Sequence, residues 1–598
     1  MSKSEIVIGI NPCTYGLNYH DPSIAIIKDG NIIFSIEEER INGIKGSKGI
    51  FPAESIKYGM EYCKLTWDDI DGIAIGYDPL LWQDRLQLEM NAILDRRKNS
   101  EPDKNDCRHS AREIMDKIIS SNLVNRYSFF KDVNNVKKLV KDKLEIDRDI
   151  PISFYEHHLA HIASSYEVSG FQDAVGIVVD GIGETATTTI WKIQNHKYEK
   201  LLQLDYPNSL GYYYAVMTKY LGFTPWCHEG KTMALAAYGQ EEISLQEKMH
   251  QIIDVSKDIY DVASFIEENA AEFLMIDEAK AIKSLEEILG VPARKSEDDL
   301  TDIHQNIAWS VQNTLEKAVV NLVNYGIKMT GIKNVCVAGG IFMNCKMNMI
   351  VRENSLAEHY FVQPLAGDLG LCIGSGLLMS THMFANEYKN IYFGPDFSNE
   401  EILEVLERRG AKFEKCEDIS YRVAELVAKG KIVCWFEGRM EMGARALGGR
   451  SILADPTRSY MSDKINMIVK HREVWRPFAC SVLEEFCDSI FENYEAGNSY
   501  PFMIEAFKVK EEWIGRIPAV IHRADNTSRP QSVSKGQNPL YHRMISYFYE
   551  LTGCPLVLNT SFNDKGQPII MSPDMAVDFF DKIQVDALAV GDFIIERD

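Results

Sequence analysis

The sequence predicts an α/β (α+β) fold arranged as two units, a larger one over residues 1–388 and a smaller one over residues 389–598. Residues 6–40 and 174–205 of the larger unit share one order of elements: strand, polar or glycine-rich loop, strand, turn, strand. This repetition indicates a duplicated domain. Near residues 385–400 a Gly-Pro pair and an acidic helix start interrupt the pattern, and a new α/β pattern follows. The main boundary is therefore expected there.

The elements of the larger unit follow from the N-terminus. In the first stretch, Asp29-Gly30 between two β-branched runs is a strong hairpin signal. In the second, the apolar run AVGIVVD ends in a glycine-rich loop and a further strand pair follows. Two such three-stranded units resemble the actin, sugar-kinase and heat-shock ATPase superfamily. That resemblance implies a nucleotide site between two lobes.

Helical segments complete the larger unit. Residues 84–148 are helical in pattern and rich in charge. They form either an inserted cap or a solvated helix, and the charge pattern favours the solvated helix. Residues 242–330 are also mostly helical, and a third glycine-rich strand-turn, NVCVAGGIFMNCKMN, follows them.

Composition narrows the class of protein. A chain of 598 residues predicts about three to five structural units. The net charge of −23 argues against binding to nucleic acid or to an anionic membrane. No run of 18 apolar residues appears, the start lacks a secretory signal, and the 12 cysteines form no C-x-x-C pair. We expect a cytoplasmic, reduced protein.

The stretch YEHHLAHIASSY, residues 155–166, holds three histidines. On a helix His157 and His161 share one face, whereas His158 is rotated by about 100°. An i, i+4 imidazole pair suits a divalent transition metal when carboxylates from other segments join it. Asp180 and Asp368 are candidates, although an aspartate at a strand end is more often a turn residue. Unbound helix histidines are also the commoner case.

An N-terminal loop, NPCTYGLNYHDPS, holds His20 and Asp21. An imidazole suits proton abstraction from an alcohol, so His20 is a candidate general base. A loop histidine beside a turn-making Asp-Pro is an equally good interpretation of this segment alone. Lys45 contacts a phosphate or is simply solvated, and solvation is the default.

The smaller unit contains a basic segment. Between Arg439 and Arg476 there are eight Lys or Arg and four acidic residues, against an acidic chain. Guanidinium groups beside glycine-rich backbone suit phosphate recognition. Arg529 and the stretch PLVLNTSFNDKGQPI, at a strand exit, add polar groups at the usual ligand edge of an α/β sheet. The expected ligand is a phosphate or nucleotide.

Ten segments in order are specific in combination: GINPCTYGLNYHDPSIAIIKDG, EEER, HHLAHIASSY, DGIGETATT, GKTMALAAYG, GGIFMN, GRMEMGARALGGRSILADP, VKHREVWRPFA, SRPQSV and LNTSFNDKGQPI. Together they resemble the O-carbamoyltransferases of the nodulation-factor, cephem-antibiotic and tobramycin type over nearly the whole chain. The resemblance implies that the larger unit is similar to the universal tRNA-threonylcarbamoylation transferase. It implies a YrdC-like fold for the smaller unit.

The resemblance also implies the chemistry. Carbamoyl phosphate and ATP, with Mg²⁺, would yield carbamoyl-adenylate and pyrophosphate in the smaller unit. The carbamoyl group would then pass to a hydroxyl of a small natural-product acceptor at a metal site of the larger unit, with iron or another divalent metal. The expected partners are these small molecules, with no nucleic acid and no membrane. Family and size favour a homodimer.

The roles implied by the resemblance fall into four sets. The catalytic residues are His20, Asp21 and Lys45. The metal ligands are His157, His161, Asp180 and Asp368. The adenylate-binding residues of the larger unit are Gly183, Glu229, Lys231, Gly339, Gly340 and Asn344. The ATP- and carbamoyl-phosphate-binding residues of the smaller unit are Arg439, Arg445, Arg450, Lys470, Arg472, Arg529, Asn559, Ser561 and Asn563.

Two other functions remain open from the residues. An actin-like kinase of a small metabolite would release ADP and need no carbamoyl phosphate. A non-catalytic nucleotide-binding protein would bind ATP without turnover. The basic segment of the smaller unit has no evident use in the kinase.

Overall fold

The computed structural model describes residues 4–13, 20–87, 123–269, 278–384, 387–473, 475–495 and 500–597. Within these ranges none of the helices combines the length and apolar character needed to cross a bilayer. Most of the region between residues 84 and 148 predicted as a helical insertion, residues 88–122, lies outside the described residues, as do residues 14–19 of the His20 loop.

Strands and helices alternate along the described chain. The strands are β1 Ile6–Asn11, β2 Ser23–Lys28, β3 Asn31–Glu37, β4 Gly72–Ile75, β5 Ile152–Phe154, β6 Asp173–Val179, β7 Ala186–Gln194, β8 Lys197–Asp205, β9 Asn334–Ala338, β10 His359–Val362, β11 Glu414–Lys415, β12 Val433–Phe436, β13 Arg450–Ala454, β14 Ala479–Leu483, β15 Phe507–Lys508, β16 Thr527–Ser528, β17 Pro530–Val533, β18 Leu556–Ser561, β19 Ala587–Val590 and β20 Phe593–Glu596. The α-helices are α1 Glu38–Asn42, α2 Ala53–Tyr62, α3 Leu123–Phe130, α4 Val133–Leu144, α5 His157–Tyr166, α6 Leu210–Tyr220, α7 Glu229–Ala236, α8 Ile243–Met249, α9 Ala263–Glu268, α10 Glu278–Leu289, α11 Asp302–Thr330, α12 Cys345–Asn354, α13 Leu371–Met379, α14 Asn399–Arg408, α15 Ile419–Ala428, α16 Met461–Ile465, α17 Cys487–Ile490, α18 Glu511–Ile514, α19 Pro539–Thr552 and α20 Pro573–Lys582.

The first sheet has the strand order β3-β2-β1-β4-β5. Strand β1 pairs antiparallel with β2 and parallel with β4. The predicted hairpin between β2 and β3 is confirmed: Asp29 and Gly30 have φ of 48° and 76°, the left-handed pair that a tight two-residue turn requires. All six residues of β1 are buried, which its continuous apolar run predicts.

The second sheet repeats this topology. Its order is β8-β7-β6-β9-β10, with β6 antiparallel to β7 and parallel to β9. In both sheets the central strand lies between one antiparallel and one parallel partner, and each partner pairs with one outer strand. The duplication predicted from residues 6–40 and 174–205 is confirmed at the level of strand order.

Two helices lie between the sheets and bring them together. Helix α5 contacts β6 and β9, and α13 contacts α5, β1, β2 and β4. Helix α13 packs closely on both neighbours because glycines lie at the contacts. A Cβ on Gly374 of α13 would lie 1.8 Å from the carbonyl oxygen of Ala160 in α5, and a Cβ on Gly9 of β1 would lie 1.8 Å from the carbonyl oxygen of Cys372 in α13. These contacts position the start of both helices at one end of the sheets.

The smaller unit is built on a third, mixed sheet of eight strands with the order β11-β20-β19-β12-β13-β18-β14-β17. Helices α15 and α19 pack on each other beside it, and α20 contacts β12 and β19. The first ten strands belong to the two sheets of the larger unit, and strands from β11 onwards lie in the third sheet or in the short β15–β16 pair. The predicted mixed α/β class is confirmed.

Candidate active site

Four predicted ligands meet where three segments of the larger unit converge. His157 and His161 lie on the first turns of α5, Asp180 follows β6 directly, and Asp368 begins the short 3-10 turn that leads into α13. The close packing of α5 and α13 brings Asp368 to the histidines, although it lies more than 200 positions away in the chain. His157 and His161 are fully buried, and both carboxylates are nearly so.

Distances within this group are short. The Nε2 atoms of His157 and His161 are 3.0 Å apart, and His157 Nε2 lies 3.1 Å from Asp180 Oδ2. His161 Nε2 lies 3.4 Å from Asp368 Oδ1. The four ligand atoms all lie within 4.8 Å of one another. Two ligands about 2.1 Å from one cation and at right angles to each other are separated by about 3.0 Å, so the spacing fits a shared cation.

The electrostatics of the group also fit a cation. Burial alone would raise the pKa of Asp180, but the hydrogen bond from His157 and the charge of His161 hold it well below the usual range. The pKa of Asp368 is lowered in the same way, against its burial, by the hydrogen bond to His161. Two carboxylates and two imidazole nitrogens facing one buried point form a donor set that suits iron, zinc or manganese. The residues present therefore fit a divalent metal.

Two residues that sequence reasoning missed hold this group in place. Glu184 accepts hydrogen bonds from the backbone N–H groups of His157, at 3.1 Å, and Asp78, at 2.8 Å. It thereby caps the start of α5. Burial raises the pKa of Glu184 to about 7, against the charge of His157. Tyr77 donates from its hydroxyl to Asp368 Oδ2 at 3.3 Å. The position of Glu184 in the DGIGE loop, four residues after Asp180, was the available signal.

The predicted catalytic residues lie on the loop and turn beside β2 and α1. His20 is half-exposed, and its Nδ1 lies 3.0 Å from Asp21 Oδ2. Desolvation opposes charge on His20, but the hydrogen bond with Asp21 and the charges of Asp368 and Asp180 raise its pKa to about 9. The negative charge of the ligand group therefore acts on His20. Lys45 instead forms a 2.7 Å ion pair with Glu39.

Three predicted glycines pack around the ligand group. Gly340 donates its N–H to Asp180 Oδ1 at 2.9 Å. A Cβ on Gly183 would lie 2.9 Å from the ring of His157. Gly339 has φ of 102°, and a Cβ there would lie 2.2 Å from a carbonyl oxygen of β6. Side chains at these positions would displace the ligands or the strand that carries Asp180.

Asn344 serves as the N-cap of α12. Its Oδ1 accepts from the N–H of Met347 at 3.0 Å, and its Nδ2 donates to Gln312 Oε1 at 2.8 Å. Tyr214 donates to the same Gln312 oxygen at 2.7 Å. The structure therefore gives the amide of Asn344 a capping role.

The two polar residues predicted on α7 already have partners. Glu229, at the first position of the helix, accepts from the N–H of Trp226, and burial raises the pKa of its carboxyl. Lys231 donates from Nζ to Glu473 Oε1 at 2.7 Å. Since Glu473 belongs to the smaller unit, the predicted adenylate-binding helix lies against that unit.

The arginines predicted in the smaller unit divide into two kinds. Arg439 donates to three backbone carbonyl oxygens, including that of Ile33 in β3, and Arg450 donates to four. Arg450 also lies 3.6 Å from the centre of the Phe436 ring. These two side chains therefore join segments of the backbone.

Arg445, Arg472 and Arg529 form the second kind, together with Arg476, which the prediction did not include; we call these four residues the guanidinium cluster. Burial, and then the charge of Arg529, lower the pKa of Arg445 to about 9. Burial, and then the charges of Arg476 and Arg529, lower that of Arg472 to about 9. Burial also lowers the pKa of Arg476, against the charge of Glu473 and together with that of Arg529. Like charges held this close favour an anionic ligand.

Lys470 ends a turn beside the exit of β18. Its Nζ donates to the backbone carbonyl oxygens of Ser561, at 2.6 Å, and Asn563, at 2.9 Å, and to both side-chain oxygens. Burial, and then the charge of Arg472, lower the pKa of Lys470 to about 7. Asn559 lies further back on the strand, where its Nδ2 donates to the carbonyl oxygen of Ala446 at 3.0 Å.

Family models match both units. A model described as carbamoyltransferase N-terminus matches residues 8–377, and one described as carbamoyltransferase C-terminus matches residues 424–597. The first of these alone spans more than half of the chain. The resemblance stated from the ten sequence segments is confirmed.

Relatives agree with these models. Nodulation protein NolNO of Sinorhizobium fredii is 32% identical over 589 residues, covering 97% of this chain and 79% of the relative. Nodulation protein NolO of Bradyrhizobium diazoefficiens is 32% identical, with 74% of this chain and 78% of the relative covered. Nodulation protein U of Rhizobium tropici is 26% identical, with 93% and 91% covered.

Among solved structures the chain is similar to HypF of T. kodakarensis, with 13% identity, a TM-score of 0.31 and coverage of 63% of this chain and 47% of that one. It is also similar to component A of the Acidaminococcus fermentans (R)-2-hydroxyglutaryl-CoA dehydratase, with 15% identity, a TM-score of 0.32 and coverage of 62% and 97%. The family assignment rests on the sequence models and the relatives, and by these the chain belongs to the carbamoyltransferase family and is a carbamoyltransferase enzyme.

Proposed function

We propose that this carbamoyltransferase depends on ATP and works in two steps at two sites. The smaller unit, with a YrdC-like fold, makes carbamoyl-adenylate from carbamoyl phosphate and ATP. The larger unit transfers the carbamoyl group to a hydroxyl of a small natural-product acceptor. One observation carries the proposal: the chain holds two polar sites of opposite character, four buried imidazole and carboxylate ligands in the larger unit and the guanidinium cluster beside Lys470 in the smaller one.

The first step needs neutralisation of phosphate charge. Arg445, Arg472 and Arg529 would bind the phosphates of ATP, with its Mg²⁺, and of carbamoyl phosphate, because guanidinium groups match phosphate geometry. Lys470 would add a point charge beside Ser561 and Asn563. Water would cleave carbamoyl phosphate to carbamate and inorganic phosphate; a carbamate oxygen would then attack the α-phosphorus of ATP, and pyrophosphate would leave. A mixed anhydride of this kind needs positioning and charge stabilisation more than a covalent nucleophile.

The second step would take place at the ligand group. His157, His161, Asp180 and Asp368 would hold iron or another divalent metal. When bound, that metal supplies Lewis acidity toward a carbamoyl oxygen. Glu184 and Tyr77 orient the ligands, and the buried position of the group limits access of water. His20, held by Asp21, would take the proton of the acceptor hydroxyl in its neutral form; a cation bound by Asp180 and Asp368 would offset part of the negative charge that raises the pKa of His20 to about 9, and would so favour that form.

Purified protein supplied with ATP, carbamoyl phosphate and iron under reducing conditions tests the first step. We expect release of pyrophosphate and a carbamoyl-adenylate mass, both dependent on carbamoyl phosphate. Release of ADP without carbamoyl phosphate would favour the metabolite kinase instead. ATP binding without any turnover would favour the non-catalytic protein. Labelled carbamoyl phosphate offered with extracts of hydroxylated metabolites would then identify the acceptor, and light scattering would test the expected homodimer.

A further inference from the structure

Glu473 lies between one cation of each unit. Its Oε1 accepts a 2.7 Å hydrogen bond from Lys231 Nζ in α7, and its Oε2 lies 3.8 Å from Arg476 Nη1. The side chain of Lys231 is 15% exposed and that of Glu473 is 33% exposed. Burial alone would raise the pKa of Glu473, but the hydrogen bond from Lys231 lowers it overall. A carboxylate anion therefore bridges the two units.

One carboxylate oxygen of Glu473 lacks a hydrogen-bond donor in the ranges that the structure describes. Within the described part of the chain, Glu473 Oε2 is buried and accepts no hydrogen bond. A buried acceptor without a donor costs free energy, and an ionised carboxylate has two oxygens that each accept hydrogen bonds. The 2.7 Å contact with Lys231 is a hydrogen bond, whereas the 3.8 Å separation from Arg476 is too long for one. A permanent structural ion pair would be expected to satisfy both partners.

The surroundings carry more positive charge than Glu473 can balance. Lys231, Arg472 and Arg476 all interact with this single carboxylate, and Arg445 and Arg529 of the guanidinium cluster add charge that acts on Arg476 or on each other. The Nε atoms of Arg445 and Arg529 are buried and have no hydrogen-bond partner among the described residues. Buried guanidinium donors in this state favour a further anion with several acceptor oxygens.

An aromatic wall borders the same space. Lys231 Nζ lies 5.5 Å from the centre of the Phe223 ring, and the Phe223 ring lies 6.3 Å from that of Trp475. Phe223 belongs to the larger unit and Trp475 to the smaller one. The wall reduces the local polarity, so charge contacts here are stronger than on an open surface.

We propose that Lys231 and Arg476 form a phosphate subsite shared by the two units, and that the carboxylate of Glu473 occupies it as a built-in substitute until a substrate phosphate displaces it. A phosphate group has enough acceptor oxygens to bind both cations at once. Its arrival breaks the Lys231–Glu473 bond between the units, so phosphate binding and this contact exclude each other. The subsite rests on the proposed function only for the identity of the phosphate-bearing substrate.

Calorimetric titration of the full-length protein tests this competition, with inorganic phosphate, pyrophosphate and AMP as separate probes. Glu473→Gln keeps the size of the side chain and removes its charge. We expect the Kd for the probe that uses the subsite to fall roughly tenfold, the scale of one partly screened charge contact. Glu485→Gln is the matched control, because that carboxylate contacts His542 instead; it should leave the Kd unchanged. The probe whose Kd falls most shows whether the subsite binds a free phosphate or the phosphate of an adenylate.

Two further variants distinguish an effect on the subsite from a folding defect. Glu473→Asp retracts the carboxylate and should give a smaller gain of the same sign. Lys231→Gln should weaken binding, and it should cancel the gain of Glu473→Gln when the two are combined. Unchanged or weaker binding in folded Glu473→Gln, or a gain that survives in the double variant, would overturn the subsite. Failure of the wild-type protein to form carbamoyl-adenylate would refute the proposed function but leave this comparison valid.

Discussion

At the scale of the residue, one of three neighbouring histidines has surroundings different from those of the other two. His157 and His161 turn their Nε2 atoms toward each other and toward two carboxylates. His158 turns away, as its rotation on the helix predicts, and its Nδ1 lies 3.0 Å from the hydroxyl of Thr189. Burial, and then the charge of His157, lower the pKa of His158 well below its usual value, so it is neutral. The candidate metal ligand His157 and the core residue His158 are therefore adjacent on one helix and point in different directions.

Removing one imidazole should therefore separate the two proposed steps. His157→Ala should weaken metal binding by more than about 100-fold, beyond the loss expected when only a ligand's supporting residue is removed, and should abolish carbamoyl transfer. Formation of carbamoyl-adenylate should persist, because that step would belong to the smaller unit. Elemental analysis and a pyrophosphate assay measure the two effects. His158→Asn is the control and should retain metal; equal loss of both steps in His157→Ala would contradict the division.

We expect Lys470 to make binding of the proposed substrate depend on pH. With a pKa of about 7, lowered by burial and by Arg472, its charge is lost as the pH rises above 7. Between pH 7 and 9 we expect the KM for carbamoyl phosphate to rise by up to about tenfold per pH unit, because the free enzyme must be protonated to bind the anion. Lys470→Arg keeps its charge in this range and should flatten the profile. A wild-type KM that stays constant over this range would contradict a role for the ammonium group.

At the scale of the element, glycines set how closely helices approach. Helix α13 crosses α5 where Gly374 faces the backbone of Ala160. Asp368 and the histidines stand at the starts of the segments that this crossing aligns. The metal-ligand geometry therefore depends on a residue that carries no polar side chain.

Gly374→Ala tests this dependence. A Cβ would lie 1.8 Å from the carbonyl oxygen of Ala160, so the helices must separate, and overpacking of this kind costs about 1–3 kcal/mol or more. Metal affinity should fall with stability. Gly515→Ala is the control, since nothing lies within 4 Å of a Cβ there. Urea unfolding and metal titration measure both effects; intact metal affinity in Gly374→Ala would show that the site does not depend on the crossing.

At the scale of the whole molecule, the EEER segment at the end of β3 joins the two units. Arg40 donates from Nη2 to Glu37 Oε1 at 3.1 Å and to the carbonyl oxygen of Gly443 at 2.6 Å. Gly443 returns its N–H to Glu37 Oε1 at 2.6 Å and has φ of 96°, which favours glycine. Arg445 follows two residues later. The acidic motif of one unit therefore fixes the loop that carries an arginine of the other unit's cluster.

Arg40→Met should weaken this junction strongly. It leaves Glu37 buried without its cation, and breaking a buried pair in this way costs about 3–5 kcal/mol. The free energy of unfolding in urea should fall by that amount, and pyrophosphate release should fall because Arg445 is displaced. Arg148→Met, which breaks a pair with the well-exposed Asp68, should change little. A stability equal to that of the control would show that the junction is not held by this pair.

Charge pattern identified a basic region but did not separate its members. Arg439 and Arg450 each donate to several backbone carbonyl oxygens, whereas the pKa values of Arg445 and Arg472 are both lowered by burial and by the charges of Arg476 and Arg529. Arg439, Arg445 and Arg450 all stand within two residues of a glycine, so the local pattern does not separate Arg445 from the other two. The difference arises from which carbonyl groups the fold brings near each guanidinium group.

The sequence by itself determined the two repeated three-strand units, the Asp29-Gly30 turn, the histidine pair and the family, because periodicity, turn chemistry and motif order can be recognised along the chain. The resemblance named Asp180 and Asp368 as partners of the histidines, but only the tertiary structure decided the distances at which these side chains meet, that Glu184 supports them, and that Glu473 lies between Lys231 and Arg476. Apart from the contact of Glu473 with Arg476, these contacts join positions tens to hundreds of residues apart. Their distances are set by how helices and sheets pack, which no local pattern records.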